Sequence, residues 1–524
     1  MRERFNRRAI IAIAAGGLLL PVAASGAARA VSGAAKVAGT PGQSSACPDS
    51  GWVGFQHDQS HTGSGCGAIN TTNVSTLVPG WFFQTSNAVT AEPAVVGNTV
   101  YLGDNGGIFH AINATTGTQK WTFDVTKHGD RHSTSNGVIT SSAAYTDAIA
   151  GKPSAVIFGG GGSVFALDAS NGTPLWQTDL APSDPSGPDE VESSPVIALH
   201  ANGTGVVLVG LDTNESTDGI SGGLVALNAQ DGTPLWTFEP DPGGPALGGL
   251  PTAPGNGCND VWSSPAVDVA AGLVFFGTGN CPDGHGTIEA ISLNGGTPVW
   301  HFDEPATNRG TDDDFGSSPI LATADGQPVV VEGGKSGWVY VLNELTGALV
   351  NSHQVAQPGQ TGDALAGAIG GFIGAMALAP VNGDPVVFGN SAIPAPLTGE
   401  GISSSGVTPD TSLATDPTRA SSLHAYDIAT GKVLWQQPLE APSYAPVTAN
   451  GGVVFAPSTT GFSLEAYNAA TGAPLWAFPL AASASSGVAV VGSSVFFGAG
   501  TYESPQAQVP PQATGIWMFH LAGS

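Results

Sequence analysis

The chain has 524 residues with 75 Gly, 39 Pro, only 10% charged residues and a formal charge of −27. Such a composition describes a turn-rich, acidic, all-β protein. The charge argues against nucleic-acid or anionic-membrane partners, because either would repel it.

In chain order, the first element is not part of a fold. MRERFNRRAI carries four arginines, IAIAAGGLLLPVAA is an apolar core, and AARA at 27–30 is a small-residue cleavage site, so residues 1–30 read as an export signal. Arg7-Arg8 leaves the twin-arginine and the general export route both open. No later run approaches the ~18 apolar residues that span a membrane, so a soluble secreted or periplasmic product is expected. Residues 31–50 are small and polar enough for a mobile lead-in, and 51–524 are read as one domain.

That domain is organised around an eleven-residue phrase: AINATTGTQKW at 111–121, ALDASNGTPLW at 166–176, ALNAQDGTPLW at 226–236, AISLNGGTPVW at 290–300, VLNELTGALVN at 341–351, AYDIATGKVLW at 425–435 and AYNAATGAPLW at 466–476. Each copy runs from an alternating apolar strand through an Asn/Asp/Gly turn into a second strand, which is a β-hairpin. All but the fifth close on Trp; the fifth ends at Asn351. Shorter apolar runs precede the copies, for example NTVYLG at 98–103 and GLVFFG at 272–277. A repeat of roughly 40–65 residues holding about four short strands is the signature of a β-propeller blade. After the seventh copy, VAVVGSSVFFGAG at 488–500 and GIWMFHL at 515–521 lack a final Trp-bearing strand, and LVPGWFFQT at 77–85 supplies one from the other end. The expected fold is therefore an all-β, eight-bladed propeller closed by its N- and C-terminal strands, with seven blades as the alternative.

The cysteines are Cys47, Cys66, Cys258 and Cys281. An even number in an exported chain favours disulfides, and the evident pairs are Cys47–Cys66 and Cys258–Cys281. Neither CxxC nor CxxCH occurs, so zinc and covalent haem lack a sequence signal, and electrons taken from a substrate have to leave through a partner.

The segment GWVGFQHDQSHTGSGCGAINTTNVSTLVPGW at 51–81 resembles the opening of the pyrroloquinoline quinone (PQQ) dehydrogenases, the polyvinyl alcohol dehydrogenase group in particular. The hairpin phrase is similar to the tryptophan-docking repeat of that superfamily, which assembly scaffolds share, so fold alone does not decide function. More specific matches lie in the middle. DVWSSPAVDVAAGLVFFGTGN at 260–280 resembles the stretch whose Trp lies under the quinone and whose Asn binds calcium, here Trp262 and Asn280. VVLVGLDTNES at 206–216 places a second calcium ligand on Glu215, TDDDFGSSPIL at 311–321 places the catalytic, calcium-proximal Asp on Asp314 ahead of Asp312, and VVEGGKSGWVYVLNELTG at 330–347 places the quinone-contacting Lys on Lys335. Where alcohol-oxidising members carry a first-blade Glu, this chain aligns Thr90, with Glu92 two residues on.

These residue types suit the implied chemistry. Calcium takes oxygen ligands at ~2.3–2.6 Å and polarises a bound carbonyl. An indole face fits a flat cofactor, a carboxylate takes the proton of a substrate hydroxyl, and an ammonium stabilises charge on the reduced quinone. The resemblance thus implies an exported alcohol dehydrogenase using PQQ and Ca2+, with an alcohol or polymeric alcohol as substrate and an external electron acceptor such as a cytochrome c. The alternative is a non-catalytic propeller that binds a polymer or protein. The chain departs from the family in lacking adjacent cysteines and a late-blade Trp, for which Tyr444 is the nearest aromatic; Arg131 is the nearest match to a family Arg. Long Gly/Pro-rich inserts at 239–258 and 391–422 are candidate recognition loops.

Overall fold

Each copy of the repeated phrase folds as the same hairpin in a computed structural model, which describes residues 51–129, 137–180, 190–200, 202–213, 222–240, 260–280, 286–309, 313–355, 371–391, 402–403, 406–407, 421–439, 443–459, 461–501 and 513–524. In blade 1, strand Ile108–Asn113 turns into Gln119–Asp124. The Gly117 N–H donates to Asn113 O at 2.9 Å, and the Asn113 side chain accepts from the Thr115 and Thr116 N–H groups at 3.0 Å each. Gly117 takes a φ of 68°, the left-handed region where a Cβ would clash with the backbone.

The glycine and the tryptophan of the phrase prove to be one contact, made between neighbouring blades. A Cβ on Gly172 would lie 2.5 Å from the ring of Trp121 in the preceding blade, and the same holds for Gly232 over Trp176 and Gly296 over Trp236. Indoles also reach a carbonyl beside that turn: Trp81 to Ala114 O at 3.0 Å, Trp121 to Ala169 O at 3.1 Å, Trp300 to Glu344 O at 2.9 Å and Trp435 to Ala469 O at 2.9 Å. Where the fifth copy has Asn351, its Nδ2 makes the equivalent bond to Ile428 O at 2.7 Å, and the Tyr426 hydroxyl donates to its Oδ1 at 2.5 Å. The donor survives there; the broad apolar face does not.

Four-stranded antiparallel units follow one another eight times among the described residues, and in the first seven the innermost strand is the first in sequence. The eighth is composite. Leu77–Gln84 pairs with Gly515–Leu521, in register from Leu77↔Leu521 to Gln84↔Gly515, and that strand continues into Ser494–Ala499 and Val488–Val491. Among the described residues helix is confined to two 3₁₀ turns, Val74–Thr76 and Val125–Lys127.

A feature that the repeat does not announce is a strap formed by residues 52–68, which hydrogen-bonds to the inner strand region of every blade in turn. Trp52 exchanges 2.7 Å bonds with Val95, and Val53 O accepts from Tyr145. Gln59 reaches Ile197 O through its side chain and Val267 through its carbonyl. Ser60 then meets Leu321, Thr62 meets Leu378, Gly63 meets Ala449, and Ala68 meets Gly492. Ser64–Gly65 adds a short parallel strand to blade 7. These bonds satisfy donors and acceptors on the innermost edge of the sheets, where an unpaired backbone group is costly.

Cys66 is the one described cysteine and is not a free thiol; Cys47, Cys258 and Cys281 lie outside the described residues, as do the export signal at 1–30 and the lead-in at 31–50. No described helix is long and apolar enough to cross a membrane.

Candidate active site

Paired serines ahead of the inner strands set the central bore. In blades 4 and 5 the first of the pair ties down its own blade: Ser263 Oγ donates to Gly277 O at 2.7 Å and Ser317 Oγ to Gly333 O at 2.8 Å. The second accepts from the preceding blade, giving a relay from Glu92 N to Ser142 (2.8 Å), Ser142 N to Ser194 (3.0 Å), Ser194 N to Ser264 (2.9 Å) and Ser264 N to Ser318 (2.9 Å). The residues two positions upstream, Thr90, Thr140, Glu192, Trp262 and Gly316, are thereby fixed around a cavity of about 140 Å³. Phe55 of the strap, Tyr444 and Ser485 also line it.

Trp262 is held closely. A Cβ on Gly316 would lie 1.5 Å from its ring, and one on Gly279 would lie 2.7 Å from its Nε1. The Lys335 ammonium stands 5.4 Å from the indole centroid, within cation–π range. The same ammonium forms an ion pair with Asp314 Oδ2. Asp314 is 1% exposed and Lys335 6%, so the pair is desolvated, and removing one partner would strand the other's charge. Backbone bonds place both. Phe315 N donates to Thr278 O of blade 4 at 3.0 Å, and Lys335 N donates to Asp314 O at 2.9 Å.

Asn280 joins this group through its main chain, donating to Asp314 Oδ1 at 2.9 Å. It holds a left-handed φ of 57°, and its Nδ2 lies 3.4 Å from both Asp212 Oδ1 and Asp260 Oδ2. An ionised carboxylate only accepts, so the NH₂ faces the two aspartates and the amide oxygen turns elsewhere. Asp260 also accepts from Thr213 Oγ1 at 2.7 Å.

The structure thus gathers Trp262, Asn280, Asp314 and Lys335 into one constellation. Thr90 lines the cavity with Trp262, its hydroxyl donating to Asn105 Oδ1 at 3.0 Å. Glu215, Asp312 and Arg131 fall outside the described residues, as do most of both long inserts. Sequence reasoning missed Asp212, Asp260 and Gly316, although Asp260 and Gly316 lie only two residues from Trp262 and Asp314. It also passed over the partners of Glu92, a cavity-lining carboxyl that accepts from Trp52 Nε1 and from Gln56 N at 3.1 Å. Burial pushes Glu92 up to about 8 against these hydrogen bonds.

The flat indole wall, kept open by Gly316, and the surrounding hydroxyls fit a planar, polar cofactor such as PQQ. The donor set beside it is all oxygen, as a hard cation requires. Among the described residues no three His, Cys, Asp or Glu side chains converge as a ready metal site, and Glu215 lies outside them.

The family model "Glucose/ethanol/alcohol dehydrogenase, beta-propeller domain" of the PQQ proteins matches residues 52–367, and the model of the outer membrane protein assembly factor BamB matches 376–503. The chain is 26% identical to the dehydrogenase subunit of a quinone alcohol dehydrogenase from Gluconacetobacter polyoxogenes, over 54% of this chain and 42% of that protein. It is also 26% identical to a polyvinylalcohol dehydrogenase from Sphingopyxis sp. (strain 113P3), over 70% of this chain and 56% of that protein. The matched regions span about half the length of these curated relatives. The solved quinohemoprotein alcohol dehydrogenase from Comamonas testosteroni shares the fold, with a TM-score of 0.68 at 20% identity over 90% of this chain and 81% of that one.

Proposed function

The chain belongs to the PQQ-dependent glucose/ethanol/alcohol dehydrogenase β-propeller family, and from that premise we propose that it oxidises alcohol groups, with Asp314 as general base. The observation that carries this reading is the buried Asp314–Lys335 pair set against Trp262 and Asn280. PQQ, when bound, supplies the hydride acceptor, and calcium the Lewis acid that polarises it. Trp262, Lys335 and Thr90 would contact the quinone; Glu215, Asn280 and Asp314 would hold the cation. Asp314 takes the proton of the substrate hydroxyl on a carboxylate oxygen, each oxygen having lone pairs beyond its bonds to Asn280 N and Lys335 Nζ. Lys335, released from part of that pairing, then sets its positive charge toward electron density gathering in the site.

The finer reading is a secondary or polymeric alcohol such as polyvinyl alcohol as substrate, with electrons leaving to an external carrier such as a cytochrome c. Residues 1–30 serve as the export signal and 51–524 as a single propeller acting outside the cytoplasm, stapled by Cys47–Cys66 and Cys258–Cys281. The test is reconstitution of the purified protein with PQQ and Ca2+ and dye reduction across primary, secondary and polymeric alcohols. Turnover dependent on both additions is expected. Absence of PQQ uptake at micromolar concentration would select instead a partner-binding propeller, a reading favoured by the assembly-factor match over residues 376–503.

A further inference from the structure

Lys335 stands in a turn, Gly333–Gly337, between two strands of blade 5. Three of its five residues are glycine, which lets the backbone sample more conformations than any other residue type. Main-chain bonds set its path, Gly337 N to Gly334 O and Gly334 N to Trp338 O at 3.0 Å each and Lys335 N to Asp314 O at 2.9 Å, and leave the side chains of residues 335 and 336 to be set by what they meet.

Part of the restraint comes from a residue of the neighbouring blade. Glu304 follows the outer strand Pro298–Asp303 of blade 4, is 2% exposed, and directs Oε1 at the turn. That oxygen accepts from Ser336 Oγ at 2.5 Å and from the Tyr340 hydroxyl at 2.7 Å. Asn308 Nδ2 donates to the Tyr340 oxygen at 2.9 Å, and Arg309 Nε donates to the Glu304 main-chain carbonyl at 2.8 Å, which anchors the backbone that carries the carboxyl. Glu304 Oε2 has no hydrogen-bond partner among the described residues. A carboxylate buried for packing alone is costly. Here its Oε1 accepts from the residue next to Lys335, and the two hydroxyl donors satisfy that buried oxygen.

We propose that Glu304 is the positioning residue for Lys335: by holding Ser336 and Tyr340 it fixes the turn so that the ammonium lies between Asp314 and Trp262. The part of this inference that concerns the quinone rests on the function proposed above; the restraint of the turn does not.

The two parts are tested separately on the full chain. Hydrogen–deuterium exchange of the cofactor-free protein is followed in peptides covering 330–340 and, as a control, 154–168 of blade 2. Glu304→Ala is expected to speed exchange in the first peptide about tenfold and to leave the second unchanged. Glu304→Gln, whose amide oxygen still accepts both hydroxyls, is expected to restore protection. Unchanged exchange in Glu304→Ala, equal acceleration in blade 2, or a Gln variant as loose as the Ala variant would each overturn the proposal. In PQQ titrations, Glu304→Ala is expected to weaken binding about tenfold in the native background and to cost nothing further beside Lys335→Met; additive losses would show that Glu304 does not act through Lys335. If the native protein takes up no PQQ, the dehydrogenase reading falls while the exchange result still decides whether Glu304 holds the turn.

Discussion

Gly316 lies against the ring of Trp262 so closely that a Cβ on it would stand 1.5 Å from the indole edge. The glycine is there for space, since its neighbour on the preceding blade occupies the volume that a side chain would need. Gly316→Ala therefore has to push the indole aside, an overpacking cost of about 1–3 kcal/mol. The fold has the eight blades to absorb that strain, whereas the cofactor wall does not. The expected result is a protein that unfolds within a few degrees of the native one but binds PQQ about tenfold more weakly, each 1.4 kcal/mol being tenfold. Titration of PQQ against intrinsic Trp fluorescence measures it, and native affinity would remove Trp262 from the cofactor wall.

Asp314→Asn keeps an oxygen for the Asn280 N–H but loses the charge opposite Lys335. Turnover is expected to fall roughly a hundred- to ten-thousand-fold, the range of a general base. The stranded ammonium should also cost about 3–5 kcal/mol of stability. Adding Lys335→Met removes that charge, so the double variant is expected to regain stability without regaining activity. Denaturant unfolding alongside dye-linked assays separates the two effects.

The buried carboxyls make a prediction about pH. Burial raises Glu92 to about 8 and Glu289 and Glu304 to about 7, all from an ordinary value of 4.5. A carboxyl raised on folding holds its proton in the native state after the unfolded chain has released it, so stability falls as pH rises from 4.5 to the folded value. Below pH 6.5 buried His61, lowered by desolvation to about 4, and His424, lowered to about 3, act in the opposite sense. Above pH 6.5 the histidines drop out, and over pH 6.5–8 Glu92 contributes a loss of about 2 kcal/mol beside the contributions of Glu289, Glu304, Glu344 and Glu332, which burial also raises. Melting temperatures across that window are expected to fall for the native protein and to fall less for Glu92→Gln. Equal slopes would mean that Glu92 is ionised throughout.

Asn351 replaces a docking Trp yet keeps the bond to Ile428 O and takes another from Tyr426. Asn351→Ala leaves a carbonyl and a hydroxyl without those partners and is expected to lower stability by about 1–3 kcal/mol. Urea unfolding tests this, and a change under 0.5 kcal/mol, the usual effect of a surface substitution, would show that water replaces both bonds.

How much of this was legible in the sequence follows the range of the interactions. The hairpin turns were readable because Asn113 and Gly117 act within a few residues, and the composite blade because a missing strand can be counted. The docking of Gly172 on Trp121 was implicit in a phrase that carries both in every copy but the fifth. Trp262, Asn280, Asp314 and Lys335 were reached through resemblance, but nothing local says that Lys335 turns its ammonium onto Asp314 rather than into the bore. Glu304 gives no signal at all: a Glu after an outer strand reads as a solvated residue, and only the packing of blade 4 on blade 5 buries it. The strap was equally silent, since it binds through backbone groups that every sequence possesses.

The register from Leu77↔Leu521 to Gln84↔Gly515 also bears on how the molecule is made. A ribosome delivers residues 77–84 long before their partners at 515–521, so the strand waits unpaired while the seven blades between them are made. Pairings this distant in sequence close slowly, and an unmatched edge invites other chains to add to it. Closure of the ring therefore follows the making of the seven blades between these strands, with the strap's contacts to Ala449 and Gly492 completed in the same phase. Deleting residues 77–84 and deleting 515–521 are one lesion written in two places, and each leaves the molecule with the same unsealed ring.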